Sequence, residues 1–104
     1  MEDINKRINK VIQDIDEITA MFYQQKNNDA YIRLERLISE IAQMIDLLYT
    51  LPMDQEIREN NTKLLTETLQ ETLQAMSAGD TVLVADILKY EVSERLTNIA
   101  EELH

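Results

Sequence analysis

Cysteine is absent from these 104 residues. Disulfides, thiolate metal sites and thiol chemistry are therefore excluded. Glycine and proline occur once each, as Gly79 and Pro52. So little of either leaves small scope for sheets, tight turns or a glycine-rich phosphate loop. The only histidine is the last residue, His104. No apolar run approaches the ~20 residues that span a bilayer. The first residues, Met1 to Arg7, are charged from the start and hold no apolar signal core. The expectation is a cytoplasmic protein.

Positive charge is also scarce. Ten basic residues stand against 20 acidic ones, a net charge of −10. The imbalance is uneven: nine acids to six bases over residues 1–52, and eleven to four over residues 53–104. Phosphate binding needs clustered Lys and Arg, so neither nucleic acid nor a membrane surface is an expected partner. Basic or neutral proteins suit such a surface better.

What the chain does contain is helical patterning. Hydrophobic residues make up 44% and charged residues 29%, which marks a globular chain rather than a disordered one. Its length suits a single domain over residues 1–104. The first helix is expected over about Ile4 to Gln25, where Ile4, Ile8, Val11, Ile15, Ile18 and Phe22 alternate in steps of four and three. This seam serves either a bundle core or a coiled coil between subunits. The core is favoured, because the repeat stops after some three heptads. Lys26 to Asp29 breaks the pattern, with Asn28 or Asp29 as the expected cap of a second helix over about Ala30 to Thr50. Its stripe is Leu34, Leu37, Ile41, Met44, Leu48 and Leu51, widened by Tyr31, Ile38 and Ile45.

Leu51-Pro52 ends that helix. The third begins with Pro52 at its first position or with Asp54 as its cap, and runs over about Gln55 to Ala78. Ile57, Leu64, Leu65, Leu69, Leu73 and Met76 form its apolar face. Six polar residues, Arg58 to Lys63, interrupt that face, with Asn61 where an apolar residue is due.

The most distinctive stretch is Gly79 to Tyr90. Gly79 can take the left-handed conformation that closes a helix, and Asp80 or Thr81 can cap the next one, over about Thr81 to Leu103. In this fourth helix Ala85, Leu88, Val92, Leu96, Ile99 and Leu103 share one stripe. Leu83, Ile87 and Tyr90 fall on the opposite side, and Asp86 borders them. A helix apolar on two sides needs cover on both. The second stripe is thus a candidate interface made of Leu83, Asp86, Ile87 and Tyr90. Tyr90 offers a ring that tolerates a wet rim, and Asp86 a carboxylate for a Lys or Arg of the partner.

Four helices of similar length and short loops predict an all-α, antiparallel up-down-up-down four-helix bundle. Long helical hairpins forming a dimeric bundle are the alternative, if the breaks at Asn27 and Pro52 are only kinks.

Residues for chemistry are sparse. Ser39, Ser77 and Ser93 have no base near them in sequence. Glu101-x-x-His104 has the spacing that di-iron bundles use, but it occurs once and at the terminus, where such sites need two copies and further carboxylates. Carboxylate pairs such as Asp14 with Glu17, Glu67 with Glu71 and Glu91 with Glu94 have the spacing of a solvated helix face. No catalytic residue, metal ligand or cofactor is expected.

The segment Gly79-Asp80-x-x-Leu83-Val84-Ala85-Asp86-Ile87-Leu88-x-Tyr90-Glu91-Val92 resembles one that recurs in small uncharacterised helical proteins of bacteria. The resemblance implies a small all-α protein and carries no activity. In architecture the chain is also similar to flagellar export chaperones, small acidic four-helix bundles that wrap a partner's helix. The expected function is a non-enzymatic protein–protein interaction module, homodimeric through its fourth helix. An adaptor or chaperone holding a partner's amphipathic or basic helix is the alternative, and a metal-dependent enzyme built on core carboxylates the distant third.

Overall fold

The computed structural model describes residues 2–103, with side chains from Ile4 to Leu103. Helix α1 spans Glu2–Tyr23, α2 Asn27–Leu48 and α3 Gln55–Ser77. Helix α4 covers residues 81–102 as one continuous rod with a π-helical stretch, Ile87–Val92, between the α-helical pieces Thr81–Asp86 and Ser93–Glu102. The helices form a four-helix bundle. The side-chain links fix its direction: Arg7 near the start of α1 donates to Gln43 near the end of α2, and Tyr23 at the end of α1 donates to Asp86 early in α4. The breaks at Asn27 and Pro52 are therefore full turns, and the long-hairpin alternative does not hold. Among the described residues no helix is long and apolar enough to cross a membrane.

Helix α1 is the best-buried element. All six seam residues, Ile4, Ile8, Val11, Ile15, Ile18 and Phe22, lie in the core. One flank of α1 packs on α2 and the other on α4. Arg33 of α2 reaches Asp14 and Glu17 of α1 across the first of these contacts. The α2 stripe is buried from Ala30 to Leu48, with Tyr31, Ile38 and Ile45 half-buried beside it. Phe22 and Tyr31 meet edge to face, with ring centroids 5.1 Å apart, near the α1–α2 turn.

Helix α3 departs from its expected face. Leu65 and Leu69 are buried, but Leu73 is 47% exposed, and Ile57, Leu64 and Met76 are not fully covered. Threonine takes the vacated places: Thr62, Thr68 and Thr72 lie in the core together with Ala75. For Thr68 and Thr72 the reason is local, whereas the buried Thr62 Oγ1 makes no hydrogen bond. Thr68 Oγ1 donates to the Leu64 carbonyl at 2.8 Å and Thr72 Oγ1 to the Thr68 carbonyl at 2.9 Å. A hydroxyl satisfied by its own helix leaves its methyl to pack as an apolar group. The seam thus runs Thr62, Leu65, Leu69, Thr72, Met76, in steps of three and four, and Asn61 stands beside it rather than on it.

Arg58 occupies the seam position before Thr62. Its Nε donates to the Leu48 carbonyl at 2.9 Å, and one Nη donates to the carbonyls of Leu51 and Met53. The last carbonyls of a helix have no partner within it. A guanidinium fork meets the Leu48 carbonyl and two carbonyls of the following turn here, and adds positive charge at the negative end of the helix dipole. Asp54 then caps α3, accepting from the N–H groups of Glu56 and Ile57 at 3.1 and 3.2 Å. Pro52 lies outside the helix.

The other two turns share one geometry with different residues. Gly79 has φ +70°, with its N–H on the Met76 carbonyl and the Asp80 N–H on the Ala75 carbonyl, both at 3.0 Å. Gln25 has φ +62°, with its N–H on Phe22 at 3.0 Å and the Lys26 N–H on Met21 at 2.9 Å. Both are Schellman closures. Helix α2 starts at Asn27, after Lys26, which has no capping side chain, so the expected cap at Asn28 or Asp29 is not used. The closure of α1 brings the chain into α2 early.

Two sets of variants test these ends. Arg58→Met should lower the unfolding free energy by about 1.5–3 kcal/mol in urea denaturation, and Arg58→Lys should recover less than half, because an ammonium lacks the planar fork. Gln25→Gly should raise stability by about 0.5–1 kcal/mol, while Gly79→Ala should lower it by about 1 kcal/mol. A Cβ at Gly79 meets no atom within 4 Å, so that loss reports backbone strain alone.

Candidate interaction surface

The N-terminal half of α4 starts abruptly. Asp80 accepts the Leu83 N–H at 3.0 Å, and the first turn forms directly after the Gly79 closure. Val84 and Ala85 turn into the core, which leaves Val82 and Leu83 on the outer side. The π stretch then alters the phase. A π turn holds about one residue more than an α turn, so all that follows is rotated back by about 100°. This keeps Val84 and Leu88 on the same inward face as Val92, Leu96 and Ile99, all of them buried. Ser93 marks the end of the stretch: its N–H bonds to the Leu88 carbonyl, and its Oγ donates to the same oxygen at 3.3 Å.

The same rotation divides the second apolar stripe. Ile87 is 4% exposed, in a segment packed on α3, so it belongs to the core of its own chain. An unbroken α-helical wheel cannot show this. Leu83 stays 45% exposed and Tyr90 61% exposed, with Val82 at 63% beside them. Asp86 is half-buried toward α1, where its Oδ1 accepts the Tyr23 hydroxyl at 2.9 Å.

Tyr23 and Lys89 complete a cluster that periodicity did not single out. The Lys89 ammonium lies 5.9 Å from the Tyr23 ring centroid and 5.4 Å from that of Tyr90, within cation–π range. The hydrogen bond to Asp86, then burial and the nearby carboxylate charge, raise the Tyr23 phenol above its ordinary value. Tyr23, Asp86, Lys89 and Tyr90 therefore hold one another in place across α1 and α4. The sequence signal was the antiparallel pairing itself, which sets the end of α1 beside the start of α4.

On the other flank of Leu83 an open trough of about 370 Å³ runs between α3 and α4. Ala75, Ala78, Leu83 and Ile87 are its apolar part, and Glu71, Asp80 and Glu91 its acidic rim. Burial, then the charge of Glu71 across the trough, push the Glu91 carboxyl above its ordinary value, with Arg95 pulling weakly the other way. The folded chain thus favours protonated Glu91, and this contribution is present below the ordinary value of 4.5 and lost as pH rises above it. Glu91→Gln should raise stability at neutral pH by no more than about 0.5 kcal/mol, given the solvent around both carboxylates. Melting curves at neutral pH and at about pH 4 check this, with the gain vanishing in acid.

Among the described residues no three His, Cys, Asp or Glu side chains group as a metal site needs. The Glu101–His104 spacing ends on a residue outside the described ones. No curated protein matches this chain, and no solved structure does. Residues 1–102 match the model of a family described as a domain of unknown function, DUF8042, and the chain belongs to that family.

Proposed function

We propose that this chain is a non-enzymatic protein–protein interaction module that takes hold of another protein through the N-terminal half of α4. One observation carries the reading: Val82, Leu83 and Tyr90 stay open on a helix whose inner side is fully buried, and Tyr23 joins them at 50% exposure. Large apolar side chains grouped on a surface, rather than scattered, mark interaction sites. Tyrosines braced by Asp86 and Lys89 lose little freedom on docking, which suits them as anchors.

Pairing of two copies through the same residues is the second reading. Leu83 and Tyr90 are two turns apart on one helix, a spacing that a two-fold axis can use. Against it, a two-fold axis here brings the acidic rim of one copy toward that of the other. Light scattering over a concentration series separates the two, and a monomer is expected. The double variant Leu83→Asp with Tyr90→Asp should keep its helical circular dichroism, because both sites are exposed. A stable dimer that this variant dissolves would give the face to self-association instead.

A further inference from the structure

Resting on that reading of the α4 face, we infer that the trough between α3 and α4 receives an amphipathic helix of a partner protein that carries Lys or Arg beside its apolar residues. The shape comes first. On the α3 side the small Ala75 and Ala78 lie beside Glu71 and Gln74, while Leu83 and Ile87 line the α4 side. Alanines opposite larger residues leave room for inserted side chains. Leu83 and Glu91 are eight residue steps apart, about 12 Å or two turns, the length over which a docking helix places two anchors one turn apart.

Charge selects the occupant. All the ionisable residues that line the trough are acidic: Glu71 on α3, Asp80 at the turn and Glu91 on α4. The nearby Lys89 is engaged with the Tyr23 and Tyr90 rings on the opposite flank. Arg95 acts on Glu91 from one turn further along α4 and offsets it only in part. Glu71 and Glu91 both line the opening, so a cation seated there meets two carboxylates. A second copy in two-fold contact brings like charges to this rim. The chain's net charge of −10 adds attraction at a distance for a basic partner and none for another copy.

The probe is a labelled synthetic helix of about 16 residues, ~24 Å long, with leucines one turn apart flanked by lysines. A second peptide replaces the lysines with glutamates, and a third scrambles the leucines while keeping the lysines. Fluorescence anisotropy with the full chain should show binding of the first alone, weakened about tenfold or more between about 50 and 300 mM salt. Glu71→Gln with Glu91→Gln should weaken it about fivefold even though the fold is not destabilised, and Leu83→Asp should abolish it. Equal binding of the glutamate peptide, or no effect of the double glutamine variant, overturns the assignment of a basic partner. If Leu83→Asp still removes binding in that case, the docking face stands and only the charge assignment falls. Equal binding of the scrambled peptide reduces the trough to a general cation attractor and overturns the inference. A protein that dimerises through Leu83 and ignores all three peptides overturns both the inference and the foreign-partner reading.

Discussion

The six seam residues of α1 lie between two neighbours, and the rest of the bundle is arranged around that contact. Each buried aliphatic side chain contributes about 1.5–3 kcal/mol. Ile4, Ile8, Val11, Ile15, Ile18 and Phe22 therefore supply much of the cohesion of a chain this size. Because α1 packs on both α2 and α4, it fixes their separation. Helix α3 then spans from the end of α2 to the start of α4, and its own demands on the core are modest. That freedom is visible in its composition, where threonine suffices at positions that α1 fills with isoleucine.

The corners follow a different logic from the core. Each relies on local polar chemistry. Arg58 and Asp54 work at the α2–α3 turn, Gly79 and Asp80 at the α3–α4 turn, and a strained Gln25 at the α1–α2 turn. These groups decide where helices stop, while the seams decide which way they face. The candidate surface arises where the two meet. The Gly79 turn starts α4 so sharply that Val82 and Leu83 fall on its outer side, and the π stretch keeps the remaining helix turned inward.

Much of this was legible in the residues. The α1 seam, the α2 stripe, the inner face of α4 and the Gly79 turn follow from spacing and backbone preference. Helix α3 was read less well, because a hydrophobic count gives threonine no credit for satisfying its own hydroxyl. Arg58 looked like part of a polar gap, since its carbonyl partners emerge only once the α2–α3 turn is folded. The Ile87 placement needed the π stretch, which no periodicity of 3.6 contains. Leu83 and Tyr90 kept the outward position that the wheel gave them, and Tyr23 entered through tertiary pairing alone.

The threonine-lined face of α3 has a further consequence. Of the four neighbouring helix pairs, α2 and α3 touch least, and threonines bury less apolar surface than the leucines they stand in for. Resistance to local opening follows buried apolar contact, so it is spread unevenly around the ring. Amide hydrogens of α1 are expected to exchange only with global unfolding, and those on the α2-facing side of α3 through smaller openings. The soft edge of the ring is thus the α2–α3 side, while the α3 residues that wall the trough beside Leu83 belong to the broader α3–α4 contact.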